Sequence, residues 1–254
     1  MTILESAGHA IDGIGENLEQ YFVNISTECP YGLATRAVYH QAVFGNLDSG
    51  TMACFLENGY RRNGNCMYAM RCPDCRGCVP IRVHPEAFKE NRNQRRVWKK
   101  NMDVTVGVAP LTMSKENIDL LDRFLQARFP AGKSNAESYY SGFFITSITR
   151  CFEIRYRIEH TLLGVAIVDG SANRLNAVYF YFDPDQSRRS PGVLNILYLI
   201  HFCRSHKIDP LYLGYWIKDV RAMQYKAAFK PHELFSDDKW QKVDRYVEGR
   251  RKKG

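Results

Sequence analysis

The stretch that most limits the fold runs from residue 153 to 182, where three strand-like segments follow one another with short breaks. In 153–160, Ile154, Tyr156 and Ile158 alternate with Arg155, Arg157 and Glu159, the period of two expected of a strand with one buried face. The segments 162–168 and 176–182 flank the turn Asp169-Gly-Ser-Ala-Asn-Arg174 and are predicted to form a hairpin. The polar loop 183–191 follows, then a helix with Val193, Ile196, Leu197, Ile200 and His201 turned inward. A strand at 211–216 and a helix around 220–229 complete the order. Antiparallel strands, then helix, strand and helix, predict an α+β domain.

The chain before this block reads differently. Up to about residue 108 it is rich in cysteine and glycine, with short patterns that include strands at 67–69 and 79–83. A linker then leads to Ser114, a predicted N-cap, and to a helix carrying Ile118, Leu121, Phe124, Leu125 and Phe129 that closes at Pro130. Two regions are therefore expected, 1–108 and 109–254. A length of 254 residues with 45% hydrophobic content is enough for a real core in either case. No apolar run approaches the roughly 18 residues that cross a bilayer, and no basic-then-apolar leader opens the chain. A soluble, cytoplasmic protein with no membrane partner is expected.

Eight cysteines in such a protein are better read as thiols or metal ligands than as a disulfide frame. Cys72-Pro-Asp-Cys75-Arg-Gly-Cys78 holds three sulfurs in one tight turn, and Cys29 could complete a tetrahedral set for structural zinc or an iron–sulfur cluster. The alternative is a turn with partly buried thiols.

Directly after the turn lies a basic segment. Read as a helix, it places Arg92, Arg95, Arg96, Lys99 and Lys100 at i, i+3, i+4, i+7 and i+8, on one face. Like charges at that spacing repel, and a polyanion against the face would relieve them. The net charge of +8 agrees with an anionic partner, nucleic acid first. Arg61-Arg62 and Arg188-Arg189 add basic clusters, and Trp98, Tyr60 and Tyr68 lie near the first two, a mixture suited to single-stranded nucleic-acid ends. A solvated helix face is the plainer alternative. There is no Ser-His-Asp spacing, Walker loop or G-x-G-x-x-G.

Several short motifs nevertheless resemble a known family. Cys29-Pro-Tyr31, Gly59-Tyr-Arg61-Arg62-Asn-Gly64, the cysteine turn through Pro80-Ile-Arg82, Asn91 through Lys100 and Phe182-Asp183-Pro-Asp185 are similar to the aminoacyl-tRNA–protein transferases. The most specific stretch is Tyr212-Leu-Gly-Tyr-Trp-Ile-Lys218 through Met223-x-Tyr225-Lys226. In length and wording the bacterial aspartate/glutamate leucyltransferase branch is nearest, with the eukaryotic arginyltransferases as longer relatives. This chain has Gly32 where the arginyl branch has a second cysteine, and Tyr31-Gly-Leu where leucyltransferases continue Tyr-Leu-Pro.

The resemblance implies a GNAT-type acyltransferase fold in the second region. It also implies transfer of an amino acid, leucine or alternatively arginine, from aminoacyl-tRNA to the α-amine of proteins beginning with Asp or Glu. The product would be a degradation signal, and no cofactor is required because the tRNA ester is already activated. The roles expected under it are distributed along the chain. Arg92, Arg95, Arg96, Lys99 and Lys100 would hold tRNA, and Arg61, Arg62 and Arg76 would bind the acidic side chain of the target. Asp183 would position or deprotonate the attacking amine, with Tyr215 and Lys218 beside it. Trp216, Tyr225 and Lys226 would line the aminoacyl-adenosine pocket. A non-catalytic RNA-binding protein using the same basic face is the competing reading.

Overall fold

The strands expected at 153–182 form a meander toward one edge of the larger of two sheets. The computed structural model describes residues 16–33, 36–130 and 135–244. In chain order the first elements are helix α1 (Glu16–Glu19), strands β1 (Val23–Thr27) and β2 (Ala37–Val43), helix α2 (Ser49–Glu57), and strands β3 (Arg61–Asn63), β4 (Cys66–Met70) and β5 (Val79–Val83). Helix α3 (Arg92–Lys100), β6 (Val104–Pro110), α4 (Lys115–Arg128) and α5 (Ala136–Phe143) come next. The meander is β7 (Arg150–Ile158), β8 (Thr161–Ser171) and β9 (Arg174–Phe182). After it come α6 (Pro191–Ser205), β10 (Leu211–Trp216), α7 (Arg221–Gln224), β11 (His232–Ser236) and β12 (Lys239–Val243).

The smaller sheet has the order β1-β2-β4-β3, and the larger is β12-β11-β5-β10-β9-β8-β7-β6. Every pairing is antiparallel except β9 with β10. The sheets divide the chain near residue 78 rather than at 108. Although β5 and α3 come early, β5 is hydrogen-bonded between β10 and β11. The segment expected to be a linker is β6, an edge strand paired with β7 along its whole length.

Strand β8 is buried on both faces, and its alternation sorts side chains into two cores. Leu163, Ala166 and Val168 join the core under α6, whereas Leu162, Val165 and Ile167 join the core under α4 and α5. A third core lies between the small sheet and α2, and Tyr60 belongs to it. Tyr60 is therefore not offered for base stacking. The helix at 220–229 is shorter than expected, a single α turn followed by the 3-10 segment Tyr225–Ala228.

Candidate functional site

A split between two parallel strands organises the site. Strands β9 and β10 pair only at Leu211 with Leu175 and Tyr212 with Asn176. Beyond Tyr212 the register of β10 shifts against β5, and Gly214 stands at φ +76°, a left-handed conformation that glycine adopts without a Cβ clash. Two cations take up the carbonyls exposed there. Arg61 Nη2 reaches the Gly214 carbonyl at 3.3 Å, and Lys226 Nζ donates to the Tyr215 carbonyl at 2.9 Å.

Arg61, from β3, is 4% exposed, and its Nη1 donates to the Tyr60 carbonyl at 2.6 Å. Its guanidinium lies 5.6 Å and 5.7 Å from the ring centres of Tyr212 and Tyr215. Its Nε has no partner. Burial lowers the pKa of Arg61. Lys226 is half-buried, and burial followed by the charge of Arg61 lowers its amine to about 7. Neither cation has a carboxylate partner among the described residues.

Tyrosines wall this place. Tyr68 of β4 stands 6.2 Å from Tyr215 and 5.5 Å from Tyr39, ring centre to ring centre. Burial pushes the phenol of Tyr68 well up, and Tyr215, Tyr31 and Tyr39 act in the same direction. Tyr225 rests its hydroxyl against Gly192 in the first turn of α6, where a Cβ would come within 3.2 Å. Tyr68, read from the sequence as an aromatic suited to nucleic-acid ends, stands in this wall instead.

The other expected site residues fall into separate places. Arg62, adjacent to Arg61, points the opposite way and bonds Asp169 through Nε at 2.8 Å and Nη2 at 2.9 Å, with both side chains fully buried. Its Nη1 reaches the carbonyls of Gly64, Phe143 and Phe144. Burial opposes its charge, and Asp169 more than restores it. A guanidinium so occupied cannot receive a substrate carboxylate, so Arg62 belongs to the frame. Arg76 ties the cysteine turn together by donating to the carbonyls of Cys72 and Cys75. Glu57, close to Arg61 and Arg62 in sequence, pairs with Arg82 at 2.7 Å rather than with either of them.

Asp183 caps the 3-10 turn Pro184–Arg189 by accepting from the Asp185 N–H at 3.1 Å, and it pairs with Arg123 at 3.0 Å. Lys218 is exposed, and its carbonyl accepts from the Gln224 side chain. Trp216 and Tyr225 pack against the core under α6. Of the three expected catalytic residues, only Tyr215 lies beside the two cations.

The basic helix forms as read. Asn91 and Gln94 make a capping box, and Arg92, Arg95, Arg96, Lys99 and Lys100 are all exposed. None of the five is in an ion pair with a described carboxylate. The helix is fastened at both ends to the rim of the split. Gln94 Nε2 donates to the Ala228 carbonyl at 3.2 Å, two residues beyond Lys226. Lys100 Nζ donates to the Arg188 carbonyl at 2.7 Å, in the turn that Asp183 caps.

The four cysteines share one neighbourhood. Burial and then Cys72, Cys29 and Cys75 push the Cys78 thiol up to about 12. Cys72 Sγ accepts from the Val38 N–H and Cys75 Sγ from the Gly77 N–H, each at 3.4 Å. Among the described residues no three His, Cys, Asp or Glu side chains are arranged to hold a metal ion, so no chemistry is routed through one here. No described helix is long and apolar enough to cross a membrane.

The chain is similar to known proteins along most of its length. The family described as arginine-tRNA-protein transferase matches in both of its parts, the N terminus over residues 27–96 and the C terminus over residues 116–236. The aspartate/glutamate leucyltransferase of Hahella chejuensis is 34% identical over 197 residues, covering 77% of this chain and 83% of that protein. Its counterpart from Nitrosococcus oceani is 38% identical over 200 residues, covering 76% and 83%. The crystal structure of FemX aligns with a TM-score of 0.50 over 87% of this chain and 71% of that one, at 8% identity, a likeness of fold alone. The fold is α+β of the GNAT acyltransferase type, and the chain belongs to the aminoacyl-tRNA–protein transferase family, as an enzyme that moves an amino acid from aminoacyl-tRNA to protein.

Proposed function

We propose that the enzyme transfers leucine from leucyl-tRNA to the α-amine of proteins beginning with Asp or Glu, and that the product is a degradation signal. The observation that carries this reading is the pairing of an exposed five-cation helix face with a strand split that holds two cations without carboxylates. The names of the curated relatives support leucine as donor and acidic residues as acceptors. Because charged tRNA is a cytoplasmic species, the reaction is placed in the cytoplasm.

The chemistry asks little beyond placement. The tRNA ester is activated, so attack by a neutral amine needs no ATP and no cofactor. The α3 face would hold the acceptor end of tRNA and lay its terminal ester in the opening of β9 and β10. Tyr215, whose phenol is raised by burial, stays protonated at neutral pH and can donate a hydrogen bond to the developing oxyanion. Asp183 is assigned to holding the rim through its cap and Arg123, with Lys218 at the exposed lip.

The test is a transfer assay with radiolabelled Leu-tRNA or Arg-tRNA and matched peptides beginning Asp, Glu, Cys or Ala. Label from Leu-tRNA on the Asp and Glu peptides alone is expected. Label from Arg-tRNA instead would move the donor to arginine, and label from neither would overturn the reading. A structural zinc or iron–sulfur cluster on Cys29, Cys72, Cys75 and Cys78 would need these sulfurs to draw into a ligand set that they do not form here, and elemental analysis of protein purified without oxygen tests it.

A further inference from the structure

We propose that Arg61 and Lys226 together read the acidic side chain of the incoming protein's first residue, its carboxylate bridging the two cations at the split of β9 and β10. This rests on the transfer reaction proposed above and assigns its acceptor specificity to two residues. Lys226 thereby moves from the aminoacyl-adenosine pocket to the acceptor side, and Arg62 leaves the carboxylate-binding set.

An ionised group buried without a counter-charge is expensive, and two like charges together are more so. The molecule nevertheless holds a guanidinium at 4% exposure and an amine that donate to consecutive carbonyls, Gly214 and Tyr215. A Cβ built on Gly214 would stand 3.6 Å from Lys226 Nζ, so the amine lies directly over the bulge. Elsewhere the chain neutralises its buried arginine: Arg62 finds Asp169, one strand residue away from Arg61. What Arg61 and Lys226 lack is an anion, and Arg61 Nε still has a donor to give.

A carboxylate suits the place better than a phosphodiester. The walls are the rings of Tyr68, Tyr212 and Tyr215, and a single carboxylate on one or two methylenes asks for less room than a phosphodiester with its two riboses. The phosphates of tRNA already have an exposed face on α3. The cations also act on the reaction itself. An α-ammonium held beside them is disfavoured relative to the neutral amine, which is the nucleophile. The charge that bears on the Lys226 amine is that of Arg61 from β3. The phenols at the split, Tyr31, Tyr68, Tyr212, Tyr215 and Tyr225, are all raised by burial and stay neutral, so the amine of Lys226 is the group that titrates near neutrality.

The experiment is a competition. Two peptides, identical except for an N-terminal Asp or Asn, are mixed with the enzyme and Leu-tRNA, and the ratio of the two products is read by mass spectrometry. Replacing Lys226→Met is expected to lower the Asp:Asn ratio by about tenfold to a hundredfold, the worth of one charge-assisted hydrogen bond. In the wild-type protein the same ratio should fall as pH rises from about 6 to about 8.5, because Lys226 discharges while the titration of the α-amine, shared by both peptides, cancels. That second measurement needs no variant, so a poorly folding Lys226→Met leaves it to decide. Loss of rate on both peptides with the ratio unchanged, or loss of tRNA affinity with the ratio unchanged, overturns the assignment, as does a wild-type ratio independent of pH. If wild-type enzyme transfers label to neither peptide, it is the transfer reading that fails.

Discussion

Arg61 and Arg62 are consecutive, chemically identical and both almost fully buried, yet they live in opposite electrostatic worlds. Successive side chains of a strand point to opposite faces, so β3 sends one arginine to each side. On one side Arg62 meets Asp169, backbone carbonyls and the Cys151 sulfur, and each of its nitrogens has a partner. On the other Arg61 meets tyrosine rings, two carbonyls and Lys226, with Nε unpaired. A buried cation with its own carboxylate is part of the frame, and a buried cation without one is waiting for a ligand. The pair shows that burial and residue type alone do not identify a site; the missing counter-charge does.

The comparison breaks most visibly on the paired side. Arg62→Met should destabilise by about 3 to 5 kcal/mol, because Asp169 is left as an uncompensated buried charge. In a chain of this size that is on the order of 10 °C in Tm, read by calorimetry. Removing both charges, Arg62→Met with Asp169→Leu, should recover most of the loss. If the single and double variants melt together, the pair is not what holds β3 to β8.

Asp183→Ala comes next, with a loss of about 1 kcal/mol from the cap of the 3-10 turn. Its pairing with Arg123 adds little, since that arginine is 49% exposed and screened. Turnover should fall modestly through the displaced rim. A loss of rate beyond about a thousandfold, with Tm shifted no further, would instead make Asp183 a direct participant in proton transfer.

Lys226→Met should raise Tm by about 2 to 4 °C at pH 6, since it removes a charge that the fold holds without compensation. The sign follows from linkage. The folded-state amine titrates at about 7 and the unfolded one near the ordinary lysine value, so the unfolded chain binds the extra proton between them. Wild-type stability therefore rises with pH through that window, and the cost of the charge is fully present below it. In Lys226→Met this part of the slope should vanish, which denaturant titrations at a series of pH values would detect.

Much of the fold is legible in the sequence where a pattern repeats within one element. The alternation of Ile154, Tyr156 and Ile158, the basic face of α3 and the N-cap at Ser114 are local signals, and each forms as read. Strand β6 carries a strand signal that the linker reading passed over, the period-two alternation of Val104, Val106 and Val108 with Thr105, Gly107 and Ala109. The placement of β5 was not legible, since its neighbours β10 and β11 come more than a hundred residues later. The site follows the same rule. The basic face of α3 is one helix read at its own period, whereas the different fates of Arg61 and Arg62 depend on Asp169, 107 residues away from Arg62. Motif resemblance marked both arginines alike, and only the pairing separates them.

The least effect on stability is expected where charge is exposed rather than buried, and it sharpens the contrast from the other end. Arg92 and Arg96 stand at i and i+4 on α3, with Arg92 in the first turn, where the helix dipole disfavours a cation. Changing both to Ala should leave stability unchanged or raise it by about 0.3 kcal/mol. The same double variant should weaken binding of uncharged tRNA and flatten the dependence of log K on log salt by about 0.7 to 0.9 for each phosphate that is no longer neutralised. A filter-binding series across salt concentrations measures that slope directly. If the slope is unchanged, the face is a solvated helix surface and the tRNA must approach the split from another side. If it flattens while Tm holds, the exposed cations serve the ligand alone, as Arg61 does from within the fold and Arg62 does not.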